Sequence, residues 1–276
     1  MKNLTYIFMF LMFFTSCKTL KITGEYLDSP PSVVPKVALS TDLNRNNWQH
    51  LDPINDSVPG MSVDKAYTEL IKDSEGQTVV VAVLDTGIDI KHEDLKGNIW
   101  TNKKEIPGNN IDDDKNGFVD DVYGWNFLGE AYYEQLELTR LLGKGEDFPE
   151  KEDAQKDYDK RLAEARGEET LKYYLNYDFK GRTTGDDPDN FEQTYYGDNK
   201  VEHSREDESH GTHVAGIIAA ARNNNLGMKG VANNVEIMTL RVVPYGDEYD
   251  KDVALGIIYA ADLSLIHISE PTRHRG

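Results

Sequence analysis

Cysteine is almost absent: Cys17 is the only one in 276 residues. One thiol excludes an internal disulfide framework and a zinc site built from several thiolates. Cationic residues are also short. There are 30 Lys and Arg against 49 Asp and Glu, a formal net charge of −19. A nucleic-acid binder needs a cationic face that releases phosphate counterions, so no nucleic-acid partner is expected. No apolar run reaches the roughly 20 residues that span a bilayer as a helix. Aromatic residues are plentiful, with 15 Tyr, 9 Phe and 3 Trp. They can supply a core, which argues against global disorder.

The first residues read as an address. Lys2 precedes an apolar run from Leu4 to Phe14, the form of a secretory signal. The run ends Phe14-Thr15-Ser16-Cys17, and small residues before a lone Cys resemble a bacterial lipobox. Residues 1–16 are therefore expected to be a lipoprotein signal peptide, with Cys17 as the lipidated residue. An ordinary signal with an incidental Cys is the alternative. The expected location is the bacterial cell envelope, beyond the inner membrane. Lys18, where an inner-membrane retention signal would carry Asp, points to the outer membrane.

Residues 17–58 are polar and hold Pro30, Pro31, Pro35 and Pro53. They read as a linker or short pro-segment. A helix is expected from Ser62 to Lys72, with Ser62 as N-cap and Ala66, Leu70 and Ile71 on one face. Thr78 to Leu84 is a continuous β-branched run, suited to a strand buried on both faces. Val235 to Val243 reads as a second strand. His210 to Arg222 and Lys251 to Ala261 read as helices, with Val214, Ile217 and Ile218 apolar in the first and Val253, Ile257 and Ile258 on one face of the second. Alternating strand and helix points to an α/β domain. Residues 128–208 are charge-rich, and Glu150 to Tyr174 has helical composition. They read as an acidic surface insertion, most simply a solvated spacer.

Asp85 stands where the buried strand meets Thr86-Gly87. By itself it would be a turn-capping Asp. His210 opens a helix rich in small residues, where a lone histidine is usually structural. His210 and His213 are one turn apart, but no Glu stands between them as in a His-Glu-x-x-His zinc site. Together the motifs say more. Val81-Ala82-Val83-Leu84-Asp85-Thr86-Gly87-Ile88-Asp89 and His210-Gly211-Thr212-His213-Val214-Ala215-Gly216 resemble the Asp and His signatures of the subtilisin-like serine proteases, the subtilases. Asp before His is that family's order. Lys91 to Leu95 and Gly230-Val231-Ala232 resemble the family segments after each motif.

The resemblance covers residues 59–262 apart from the insertion. It implies a doubly wound parallel sheet with helices on both faces, incomplete at the C-terminus. It implies a serine endopeptidase acting on proteins or peptides, with His210 as general base and Asp85 orienting it. His213 matches a structural position. The family's Gly-Thr-Ser-Met-Ala type nucleophile segment is absent from the 276 residues. Residues 263–276 resemble the translation of a sequencing-library adaptor, so the chain is expected to be truncated before its serine and inactive alone. Ser264 and Ser269 lack a Gly-bounded turn, and His267 and His274 fall in the same stretch. The alternative is a non-catalytic calcium-binding envelope lipoprotein. Oligomeric state leaves no mark in the sequence.

One further motif suggests calcium. In Asp112-Asp113-Asp114-Lys115-Asn116-Gly117-Phe118-Val119-Asp120-Asp121, alternate residues Asp112, Asp114 and Asn116 match the first half of an EF-hand loop. Gly117 falls at its sharp turn, and the Phe118 carbonyl and Asp120 occupy its next ligand positions. Tyr123 replaces the closing Glu, for which Asp121 is the candidate substitute. The alternative, a solvated acidic turn, explains the charge but not the alternation or the placed Gly117. The family resemblance suggests a second calcium site at Asp94 and Asn224.

Overall fold

Valine and isoleucine lose little by adopting extended backbone and pack well on a pleated surface. The two β-branched runs accordingly become the two longer strands of a parallel sheet in the computed structural model. It describes residues 46–264, apart from 73, 75, 183–185 and 204–207. Strand β1 spans Val79–Asp85, β2 spans Gly124–Asn126 and β3 spans Val235–Arg241. Their order is β1-β3-β2. β1 pairs with β3 from Val79↔Val235 to Asp85↔Arg241, and β2 pairs with β3 from Gly124↔Thr239 to Asn126↔Arg241. The signal peptide, Cys17, and the candidates Ser269, His267 and His274 lie outside the described residues.

Five helices accompany the sheet among the described residues. They are α1 (Val63–Ala66), α2 (Glu137–Gly143), α3 (Lys151–Glu164), α4 (His210–Ala219) and α5 (Asp250–Ser264). Alternation along β3 separates two cores. Met238 and Leu240 join Trp100, Trp125, Phe127, Val242 and Tyr259 on the α5 side. Ile237 joins Val83, Ile88, Leu95, Ala215 and Ala219 on the α4 side. Helices therefore cover both faces, an α/β architecture of the doubly wound kind. Each fully buried large aliphatic or aromatic side chain contributes about 1.5–3 kcal/mol.

Several local expectations change. Ser62 does not cap α1; its backbone is left-handed and its hydroxyl donates to Asp52 Oδ2 at 2.8 Å. The helix passes into a π turn at Tyr67–Ile71, and Leu70 is exposed rather than core-facing. Ile257 and Ile258 are exposed too. Tyr259, with Val253, Leu255 and Ala260, is what α5 presents to the core. Residues 47–58 are not a free tether. Val58, His50 and Asp52 are buried, and the His50 ring bonds the Lys229 carbonyl at 2.8 Å.

The charged stretch 128–208 is also more than a spacer. Leu128 and Ala131 are wholly buried at its start, and Val201 near its end accepts the Ile88 N–H. In its interior Arg182 bonds Glu134, Asp186 and Asp252, all with buried side chains. Burial opposes the Arg182 charge, but the three carboxylates outweigh it and raise its pKa. Asp252 belongs to α5, so this ion cluster fastens the acidic region to the helix beside the sheet. The expected long helix here is shorter, α3 alone, followed by a π turn at Thr170–Tyr174.

Candidate active site

Asp85 is the last residue of β1. Its carbonyl accepts from Val242 and Val243. The chain then turns through Gly87 at φ 117°, a conformation that L side chains rarely adopt. A Cβ there would lie 2.8 Å from the His203 nitrogen. The turn leaves the Asp85 carboxylate at the carboxyl edge of the sheet, where open α/β folds bind ligands. Oδ1 accepts the Thr86 N–H at 2.8 Å.

His210 is the first residue of α4. Its Nδ1 lies 2.9 Å from Asp85 Oδ1 and 2.8 Å from Oδ2. A carboxylate only accepts, so Nδ1 carries the proton and Nε2 is left as the basic nitrogen. The imidazole is 73% exposed while the Asp85 side chain is only 11% exposed. The base faces outward and its orienting acid faces inward.

Gly211 makes this approach possible. A Cβ at 211 would stand 2.2 Å from the Gly87 carbonyl oxygen and 3.1 Å from Asp85 Cβ. Any side chain would lift α4 away from the turn. Thr212 adds a tie that the sequence reading missed, accepting the Asp89 N–H on its hydroxyl at 2.9 Å. Arg241, opposite Asp85 in the ladder, donates through Nε to the Thr86 carbonyl at 2.9 Å. His213 points to solvent.

The acidic loop folds around a residue absent from the sequence expectation, Glu105. Carboxylate oxygens of Glu105, Asp112 and Asp114 all lie within 4.8 Å of one another. Glu105 is buried and accepts N–H groups of Asp113, Asp114 and Asp120. The Pro107-Gly108 turn that returns the chain toward Asp112 was the available signal. The other expected ligands are placed differently. Asp120 accepts from the backbone of Gly108, Asn109 and Asn110. Asn116 Oδ1 accepts the Phe118 N–H, and its amide donates to Asp121. Asp121 also accepts from Asn102 and the Tyr259 hydroxyl, and burial raises its pKa to about 6. Asp120 and Asp121 therefore brace the loop rather than join the oxygen cluster. Asp94 and Asn224 are brought together, with the Asn224 amide 2.7 Å from Asp94 Oδ1. Asn224 Oδ1 is turned to the Leu226 N–H.

Comparison with known proteins bears on the family of the chain. A family model described as Subtilase family matches residues 76–269. Subtilisin-like protease 1 of Plasmodium falciparum (isolate 3D7) is 27% identical over 176 residues, covering 63% of this chain and 15% of that protein. Subtilisin-like protease 1 of Plasmodium berghei (strain Anka) is 45% identical over 64 residues, covering 23% of this chain and 11% of its own length. The Extracellular basic protease of Dichelobacter nodosus is 27% identical over 238 residues, covering 86% of this chain and 28% of that protein. The chain thus spans well under a third of the length of these relatives.

Proposed function

The chain belongs to the subtilase family, and from that premise we propose that Asp85 and His210 are two members of the triad of a serine endopeptidase. The observation that carries the proposal is the 2.8 Å contact between His210 Nδ1 and a largely buried carboxylate beneath an exposed imidazole. In this role His210 Nε2 accepts the proton of a serine hydroxyl as that oxygen attacks the scissile carbonyl. It returns the proton to the leaving amine, and repeats the exchange with water to release the acyl group. Asp85 fixes the tautomer and stabilises the imidazolium without taking the proton.

No Gly-Thr-Ser-Met-Ala type segment occurs in these 276 residues. The proposal therefore has the nucleophile supplied by sequence outside them and expects no hydrolysis from them alone. Fluorophosphonate labelling tests both halves. The 276-residue chain stays unlabelled, whereas a longer gene product labels at one serine and loses the labelling rate in His210→Ala. A longer product with no reactive serine would favour the non-catalytic envelope-protein reading.

Glu105, Asp112 and Asp114 fit a hard cation such as calcium, because the donors are all carboxylate oxygens within one ion's reach. Bound there, the ion would neutralise their mutual repulsion and brace the loop. Asp94 with Asn224 is a second proposed calcium position, one that requires the Asn224 amide to turn its Oδ1 from the Leu226 N–H toward Asp94. Lipid attachment at Cys17 and an outer-membrane location complete the proposal, on the strength of the Thr15-Ser16-Cys17 ending. Incorporation of an alkyne fatty acid in a bacterial host, lost in Cys17→Ser, is its test.

A further inference from the structure

One opening on the described surface lies away from His210. It is a cleft of about 620 Å³ between the acidic insertion and the first turn of α5, within the roughly 300–1,000 Å³ of ligand-binding clefts. One wall is α2 with Tyr177 and Phe179; the other is Asp247 to Lys251. That second wall continues directly from β3, whose following residues Val242 and Val243 bond the Asp85 carbonyl. The cleft and the Asp85–His210 pair therefore share the carboxyl edge of the sheet.

Its chemistry is selective. Two of its cations are spent internally. Arg140 bonds Glu137 and the carbonyls of Gln135, Asp247 and Glu248. Lys251 is buried against the Asp187 carbonyl and Asp186. At the mouth, Lys144 is paired with Asp189 at 2.8 Å, and Lys180 is an exposed cation on the α2 side. Glu248 and Asp250 are exposed on the α5 lip. Opposite them Phe191 offers an aromatic face, 68% exposed, and Tyr177 is 43% exposed. In the wall, the hydroxyl of wholly buried Thr139 has no hydrogen-bond partner among the described residues. Aromatic faces beside unspent carboxylates suit a guanidinium, which stacks and pairs at once. The cleft already holds one such arrangement, with the Arg140 guanidinium 4.0 Å from the Tyr249 ring centroid.

We propose that this cleft docks an extended, arginine-bearing segment of a protein substrate. Phe191 and Tyr177 would stack its guanidinium and Glu248 would pair with it. The net charge of −19 draws such a segment in. Only the word substrate rests on the peptidase reading; docking itself requires no hydrolysis. The test is fluorescence anisotropy with the 276-residue chain and a fluorescein-labelled dodecapeptide carrying three arginines. An otherwise identical peptide carrying three glutamates is the comparison. The arginine peptide binds and the glutamate peptide does not. Phe191→Ser/Glu248→Lys, both at exposed positions, weakens binding about tenfold, the combined scale of a cation–π contact and an exposed ion pair. Glu69→Lys, the same charge change on the exposed π turn after α1, leaves binding unchanged. Equal binding of the two peptides overturns the proposal. So does unaltered affinity in the cleft variant, or equal weakening by Glu69→Lys.

Discussion

At the residue scale, the pairing of His210 with Asp85 depends on atoms that are missing as much as on those present. Gly211→Ala keeps the chemistry but pushes α4 off the Gly87 carbonyl. In a form carrying its serine, the expected result is a loss of about 10²-fold in kcat, the penalty of roughly 1 Å of misplacement. Near-native stability by urea unfolding would separate this from collapse of the fold. Asp85→Asn replaces an acceptor by a group that can donate to Nδ1. The imidazole then moves its proton to Nε2, visible in its nitrogen-15 shifts, and kcat falls by about 10⁴-fold. An unchanged tautomer would refute this account of Asp85. Both residues were legible in the sequence only through the resemblance of their two motifs, taken together, to the family's; alone, each pattern reads as structural. Glu105 and Thr212 were not. Each acts on partners that only a turn or a long connection brings near.

At the element scale, two attachments respond differently to change. The segment around His50 is sensitive to acid. Burial lowers the His50 pKa below its usual 6.5. A histidine that the fold prefers neutral contributes fully above about 6.5, and that contribution fades as pH falls through its depressed folded value. Asp52 is held down to about 2, first by the Asn55 N–H and then by the Ser62 hydroxyl. Its contribution is complete above 3.8 and lost only as pH falls toward 2. Protection factors across residues 47–58, taken relative to the intrinsic exchange rate at each pH, should therefore fall below about pH 6.5 and again below about pH 4. Faster exchange at high pH beyond the intrinsic base-catalysed rate would contradict the sign. The insertion is fastened by charge instead. Arg182→Met strands Glu134, Asp186 and Asp252 without their shared cation, and burial already raises the pKa of Glu134. Unfolding by urea should show a loss of about 3–5 kcal/mol. A neutral result would mean that water, not Arg182, compensates these carboxylates. This cluster was invisible in the sequence, where its charges looked like a solvated face. The exposed side of α5 was misread for a related reason. Apolar residues occur on several of its sides, and only the sheet decides which side is inward.

At the scale of the whole molecule, acidic charge is in excess and partly concentrated. If the proposed site at Glu105, Asp112 and Asp114 holds calcium, millimolar calcium should raise the Tm of the unaltered chain but not of Asp112→Ala/Asp114→Ala; an equal rise in both would move the ion elsewhere. Added salt should raise Tm even without calcium, because it screens the repulsion of a −19 chain more than it weakens buried pairs. The sheet carries a different consequence, one of time. Thr78 and Asn234, which open the β1–β3 pairing, are 156 residues apart, and Asp85 and His210 are 125 apart. Closing a doubled loop adds only about 0.6 kcal/mol of entropy, so the insertion between them costs equilibrium stability little. Search time is less forgiving, because parallel strands this distant must meet before any contact between them holds. The pair that gives the site its geometry is then among the last features to form. While it waits, the β-branched run of β1 is exposed to other chains, and the yield of refolding should fall as protein concentration rises.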